Sequence, residues 1–300
     1  MGQPKAPRFE HAILRVNDLD KALDFYCNIM GLTEIAREDG VVYLGCGLDD
    51  SYDLGLQEGG TGVAHFAIRV DDEEELERLA GSLKEHGVAV QRTDGREPNQ
   101  EKGIRFAMPN GTQMEFVIVQ DKRYLNPIRP SYPRTRGIAP LNADHINLMS
   151  PDVRRDAEFL KDVLGFRFSD IVEPEAGFGY WTMAWTRYRD FHHDIGLTFG
   201  SNRQESLHHY AFSLSNFEDF KRAGDMLRAY GIKFELGPGR HPIGPNLYAY
   251  FWEPGGNRIE LSAEAAVIDP STPPNFWRGM DDTLDAWSNI KPPESFLRGS

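Results

Sequence analysis

Residues 207–231 read LHHYAFSLSNFEDFKRAGDMLRAYG. An alternating apolar stretch, Leu207 to Leu214, runs into a stretch with 3.6-residue apolar spacing that stops at Gly231. Alternation predicts a strand with two unlike faces, the longer period an amphipathic helix, and the glycine its C-terminal stop. The same order recurs upstream. FEHAILRV from Phe9 precedes LDKALDFYCNIMG to Gly31, VAHFAIRV from Val63 precedes EEELERLAGSLKEHG to Gly87, and ADHINLMS from Ala143 precedes RRDAEFLKDVLG to Gly165. The second and fourth copies also close alike, on RFAMPNGTQMEF from Arg105 and YFWEPGGNRIEL from Tyr250. Each reads as strand, Pro-x-Gly turn, strand.

Four copies taken in pairs predict two homologous domains, 1–120 and 141–265. Between them, residues 121–140 (DKRYLNPIRPSYPRTRGIAP) carry four prolines and no period, and read as a linker. Residues 266–300 break the repeat and are expected to pack as a Pro- and Trp-bearing tail over the second domain and its active site.

The bulk properties narrow the function. A chain of 300 residues, 40% hydrophobic and 26% charged, has material for two folded domains. A net charge of −13 argues against nucleic acid or an anionic membrane as partner. There is no apolar leader and no run of bilayer length. Two cysteines, Cys27 and Cys46, are too few for a disulfide framework, so a cytoplasmic, reducing setting is expected. No glycine-rich dinucleotide fingerprint or phosphate loop occurs, so no organic cofactor is expected.

Six of the nine histidines lie from His145 onward. Alternate residues of a strand face opposite sides. His145 then shares a face with Asn147, while Ile146 and Leu148 take the other. His209 shares a face with Ala211 and Ser213, while His208 goes with Tyr210, Phe212 and Leu214, which look like helix-facing core. Glu260 shares a face with Arg258 and Ser262. Each strand thus puts one potential ligand on its less apolar side. Two imidazoles and a carboxylate are the facial set of non-haem Fe(II) oxygenases. The three positions left open suit a bidentate catecholate together with dioxygen.

DHINL from Asp144, HHDIGL from His192, LHHYAFSL from Leu207 and the long GPGRHPIGPNLYAYFWEPGGNRIE from Gly237 carry a resemblance. Across its whole length the chain resembles the type I extradiol ring-cleaving dioxygenases of the vicinal oxygen chelate (glyoxalase/bleomycin-resistance/dioxygenase) superfamily. The catechol 2,3-dioxygenase and homoprotocatechuate 2,3-dioxygenase branches are nearest. The resemblance implies an α+β fold of four βαβββ modules, paired into two domains with curved mixed sheets and outer helices. It implies Fe(II), with Mn(II) as the alternative, on His145, His209 and Glu260. It puts a second-sphere histidine on His193, which parity alone does not separate from His192. It puts an Arg-His pair on Arg240 and His241 and an active-site tyrosine on Tyr250. Asn147, His208 and Trp185 fall on pocket positions. The implied substrates are a catechol-type molecule and dioxygen, and the implied assembly a homo-oligomer, dimer or tetramer.

Two departures qualify the resemblance. Where a carboxylate-binding branch places arginines, this chain has Leu236 and Asp285. That favours a catechol without a carboxylate, seated against Leu236, Trp185 and Tyr248. In the first domain His11, His65 and Glu115 sit at the repeat positions of the ligands, but Arg105 replaces Tyr250, and His193 and His241 have no counterpart. The first domain is therefore expected to be a metal-free relic, a second metal site being the alternative. Rival readings are a superfamily protein that only binds an aromatic small molecule, and a hydroquinone-cleaving or glyoxalase-like relative. Neither gives a reason for His193 and Tyr250 together.

Overall fold

The computed structural model describes residues 8–47, 51–120, 136–175, 179–280 and 283–300. Most of the expected linker, residues 121–135, lies outside the described residues.

Each repeat folds as strand, helix and three strands. The first comprises β1 (Phe9–Val16), α1 (Leu19–Asp24), β2 (Thr33–Glu38), β3 (Val41–Gly45) and β4 (Leu54–Glu58). The second comprises β5 (Val63–Arg69), α2 (Glu73–Glu85), β6 (Gln91–Arg92), β7 (Gln100–Ala107) and β8 (Gln113–Val119). The third comprises β9 (Ala143–Ser150), α3 (Val153–Leu164), β10 (Arg167–Glu173), β11 (Met183–Arg187) and β12 (Ile195–Phe199). The fourth comprises β13 (Leu207–Ser213), α4 (Phe217–Ala229), β14 (Leu236–Arg240), β15 (Leu247–Trp252) and β16 (Arg258–Ala263). A last strand, β17 (Asn275–Arg278), lies in the tail.

The helices begin and end where their sequence dictates. Asp18, Asp72, Asp152 and Asn216 accept a backbone N–H of the first turn, which satisfies a donor the helix cannot. Gly31, Gly87, Gly165 and Gly231 all have positive φ just past the helical segments. The first helix departs from simple 3.6-residue spacing. Beyond Asp24 it widens into a π-helical segment, Phe25–Met30, whose Phe25, Tyr26 and Met30 are all buried.

The repeats pair into two sheets. The first has strand order β2-β3-β4-β1-β5-β8-β7-β6 and the second β14-β15-β16-β13-β9-β12-β11-β10-β17. In each, the first strands of two repeats meet antiparallel at the centre, β1 against β5 and β9 against β13. The two sheets share one hydrophobic core. Phe9 meets Tyr210 at 5.8 Å between ring centroids, Asp53 accepts the Ala143 N–H at 2.8 Å, and Asp194 accepts the Arg8 and Phe9 N–H groups at 3.1 Å. Burying each large apolar side chain there contributes about 2 kcal/mol.

The tail is bolted across the second sheet. β17 pairs in parallel with β10. Fully buried Arg258 donates to the carbonyls of Ser295 and Arg298 and pairs with Glu235 at 2.7 Å. Ser300 exchanges backbone hydrogen bonds with Leu207 at the start of β13.

Candidate metal centre

β16, β13 and β9 are neighbours in the second sheet, and each supplies one inward residue: Glu260, His209 and His145. Their ligand atoms converge. His145 Nε2 lies 3.2 Å from His209 Nε2 and 3.0 Å from Glu260 Oε2, and His209 Nε2 lies 3.0 Å from Glu260 Oε2. All three residues are buried. Ligands at right angles about 2.1 Å from one ion sit roughly 3.0 Å apart. The triangle therefore matches one face of an octahedral site and fits a divalent ion.

The surrounding hydrogen bonds aim the donors. Asp144 Oδ1 accepts from His145 Nδ1 at 2.6 Å, which leaves His145 Nε2 for a ligand. The Phe296 carbonyl can only accept, so His208 Nε2 donates to it at 2.8 Å. A neutral His208 then has a bare Nδ1, which accepts from His209 Nδ1 at 2.7 Å, and His209 Nε2 is left bare. Asn246 Nδ2 reaches Glu260 Oε1 at 3.3 Å and Ser262 Oγ at 3.2 Å, holding the carboxylate oxygen that faces away from the imidazoles.

The electrostatics agree. Burial disfavours charge on His145, but Glu260 and Asp144 outweigh it and push the imidazole up to about 10. Burial takes His209 down to about 4 against the pull of Glu260. The two move oppositely because only His145 has a second carboxylate, whereas His209 faces the charges of His145 and Arg258. Burial works against Glu260 ionising, yet His145 and His209 hold it well below the usual carboxylate range. The pull that holds a proton at His145 is the pull a dication would feel.

Around the triangle lies a cavity. His193, His241, Tyr250, Asn147 and His208 form its polar wall, and Met183, Trp185, Ile243, Met280, Leu284 and Phe296 its apolar wall. The His193 ring sits 4.1 Å from that of His145. Burial, then the histidines around it, keep His193 well below its ordinary value. His241 Nδ1 donates to the Leu284 carbonyl, so its Nε2 accepts from the Tyr250 hydroxyl at 2.9 Å. Burial and Glu260 push the Tyr250 phenol well above its ordinary value.

Several expected pocket residues lie elsewhere. Leu236 and Tyr248 do not line the cavity; they pack behind Tyr250, with Tyr248 stacked on His241 at 3.9 Å. Arg240 turns away to Glu264 and the Pro245 carbonyl, and Asp285 is spent on Trp287 N and Ser288 Oγ of its own turn. His208 is not helix-facing core. A register shift between Leu207 and His209 breaks the alternation, so consecutive histidines meet through their Nδ1 atoms. Sequence reasoning missed Asn246, Met183 and Ile243, and the tail residues Met280, Thr283, Leu284 and Phe296. Asn246 stood inside the long GPGRH motif as an unexplained polar residue; the tail offered no periodic signal.

Comparison with known proteins agrees with this arrangement. The sequence model of the Glyoxalase/Bleomycin resistance protein/Dioxygenase superfamily matches residues 8–116 and 142–261. The chain belongs to this superfamily. Within it, the chain is 34% identical over 288 residues to the manganese-dependent 2,3-dihydroxybiphenyl 1,2-dioxygenase of Geobacillus genomosp. 3, covering 90% of each. It is 28% identical to the metapyrocatechase of Geobacillus stearothermophilus, covering 97% of this chain and 92% of that one. It superimposes on homoprotocatechuate 2,3-dioxygenase from Brevibacterium fuscum, in complex with 3,4-dihydroxyphenylacetate, with a TM-score of 0.85. That match has 27% identity and covers 99% of this chain and 93% of that chain.

The other half of this superfamily member holds a second cluster. His11, His65, Glu97 and Glu115 gather in the first sheet. Arg105 Nη2 stands among them, 2.7 Å from Glu97 Oε1, 2.7 Å from Glu115 Oε2 and 3.0 Å from His65 Nε2. Glu97 escaped the sequence reading because it lies on the loop before β7, outside the repeated motifs.

Proposed function

We propose that the protein is an extradiol dioxygenase that opens the ring of a non-carboxylated catechol, with Fe(II) or Mn(II) held by His145, His209 and Glu260. The observation that carries this is the ligand triangle, with edges of 3.0–3.2 Å and both imidazoles presenting Nε2 through fixed Nδ1 partners. Full-length similarity to ring-cleaving dioxygenases supports it.

When bound, the metal supplies a Lewis acid for the diol and the redox partner for dioxygen. The remaining chemistry belongs to the chain. The Tyr250 hydroxyl donates its hydrogen bond to His241 Nε2, so its oxygen is free to accept from a diol hydroxyl. That pair can draw a proton off the diol and pass it to His241 Nε2. His193, against His145 on another side of the cavity, is placed to move a proton where dioxygen reacts. The apolar wall holds the ring and excludes water. No Lys or Arg is among the described lining residues, which supports a substrate without a carboxylate.

In this reading residues 141–265 carry the reaction, 266–300 close the cavity, and 1–120 are metal-free because Arg105 already supplies the cation. Two free cysteines and a charge of −13 support a cytoplasmic enzyme. A protein that merely binds aromatics has no use for the Tyr250–His241 pair.

The test is anaerobic reconstitution with Fe(II) or Mn(II), followed by dioxygen uptake with catechol, 3-methylcatechol and 2,3-dihydroxybiphenyl. Uptake with a yellow ring-opened product is expected, and His145→Ala, His209→Ala and Glu260→Ala should each lose metal and activity. Full metal content in all three variants would refute the site.

A further inference from the structure

Behind His193 runs a second chain of hydrogen bonds, outside the ligand set. His192 Nδ1 lies 2.8 Å from His193 Nδ1, and His192 Nε2 lies 2.6 Å from Asp170 Oδ2. All three residues are buried. The other oxygen of Asp170, Oδ1, accepts from Trp277 Nε1 at 2.6 Å and Asn275 Nδ2 at 3.1 Å, both on the tail strand β17. Burial opposes ionisation of Asp170, but its three donors more than compensate and hold it below its ordinary value.

Donor and acceptor roles then follow one from another. An ionised carboxylate only accepts, so His192 Nε2 carries the proton between them. A neutral His192 has a bare Nδ1, which must accept, so the proton between the two rings belongs to His193 Nδ1. A neutral His193 is left with a bare Nε2, and its ring lines the cavity. We propose that Asp170 and His192 are positioning residues that fix His193 as the Nδ1–H tautomer, so that a bare Nε2 meets the reacting groups. The inference rests on the dioxygenase reading for its purpose, and on the hydrogen-bond chain for its content.

The arrangement repeats the logic behind His209, where an acceptor sets His208 and His208 sets the inner ring. A buried carboxylate that fixes the tautomer of a reacting histidine is a known physical device. Here the carboxylate is itself held by the tail, so β17 contributes to the cavity without touching it.

The sharpest variant is Asp170→Asn, which keeps the shape. Trp277 and Asn275 remain donors at the old Oδ1 position, so the amide oxygen stays there and the amide NH2 faces His192. His192 Nε2 must then accept, His192 Nδ1 must donate, and His193 must change to the Nε2–H form. Histidine 15N NMR of the full chain loaded with diamagnetic Zn(II) reads both rings, with His192→Gln and His193→Asn for assignment. The expected result is Nδ1–H at His193 in the wild type and Nε2–H in Asp170→Asn. In the Fe(II) form of that variant kcat should fall on the order of 10²-fold, with catechol KM and metal content within about twofold. Nε2–H at His193 in the wild type, or no tautomer change in Asp170→Asn, would overturn the proposal. If Asp170→Asn does not fold, the wild-type tautomer alone decides. Wild-type tautomers as stated, in a protein that cleaves no catechol, would support this assignment and count against the dioxygenase reading.

Discussion

Arg105 stands opposite Glu115 across the β7–β8 ladder as Tyr250 stands opposite Glu260 across the β15–β16 ladder. The two repeats thus place different residues at one structural position. In the second sheet that residue is a phenol beside the candidate ion site. In the first it is a guanidinium whose Nη2 lies 2.7–3.0 Å from three ligand-type atoms. Burial disfavours the Arg105 charge, but Glu115 and Glu97 outweigh it. Arg105→Ala should remove the built-in cation and leave two carboxylates and two imidazoles facing one another. The expected outcome is a rise from one to two divalent ions per chain by elemental analysis, with ring cleavage within about twofold of wild type. One ion per chain in the folded variant would contradict the view that Arg105 is what keeps the metal out.

His208 touches no ion in this account, yet it decides which nitrogen of His209 is free. His208→Phe removes the acceptor for His209 Nδ1 while keeping a ring near Phe296, which it meets at 4.9 Å. Metal affinity should fall about 10–100-fold, as for lost partners of other ligating histidines. Competitive chelator titration measures this, and an unchanged affinity would mean the tautomer of His209 is set elsewhere.

Substrate preference follows from the wall of the cavity. Met183, Trp185, Ile243, Leu284 and Phe296 offer dispersion contacts and no cation. A desolvated carboxylate without a partner costs several kcal/mol, while an alkyl or aryl group gains about 25 cal/mol per Å² buried. The specificity constant for 3-methylcatechol or 2,3-dihydroxybiphenyl should exceed that for 3,4-dihydroxyphenylacetate by about ten- to a thousandfold. The reverse order would overturn the substrate class and leave the metal site standing.

One of the contacts that hold the tail is the ion pair between Arg258 and Glu235. Burial would raise Glu235, but its bonds to Arg258 and Ser295 prevail and hold it below its ordinary 4.5. A carboxyl depressed on folding stabilises fully above its unfolded value and loses that contribution as pH falls through the folded one. Glu235→Gln should therefore cost on the order of 1–3 kcal/mol near pH 7, and the gap to wild type should shrink as pH drops below about 4.5. Urea unfolding at several pH values measures both. A pH-independent gap would show that the charge on Glu235 does not hold the tail.

Much of the fold and of the candidate site is legible in the sequence. The repeats show in the periodicity because four copies of one strand–helix unit bury equivalent faces. Strand alternation singles out His145, His209 and Glu260 because three neighbouring strands each turn one potential ligand to their less apolar face. Alternation failed at His208, where a bulge shifts the register, and such bulges have no sequence marker here. Leu236 and Tyr248 were misplaced because identity in a motif does not say whether a side chain lines a cavity or backs the residue that does. Asp170, His192 and Trp277 come together only through β10 pairing with the tail, and Glu97 only through a loop folding back over the first sheet. Long-range pairings of that kind leave no local period.

The proposed reaction needs an ion, held by His145, His209 and Glu260, at which dioxygen opens a catechol ring. Labelling with 18O2 tests it most directly. The Fe(II)- or Mn(II)-reconstituted protein, given 2,3-dihydroxybiphenyl, should take up one dioxygen per ring and place both labelled atoms in the ring-opened acid, while Glu260→Ala should take up none. An intact ring, a product carrying one label or none, or equal activity in Glu260→Ala would contradict the account.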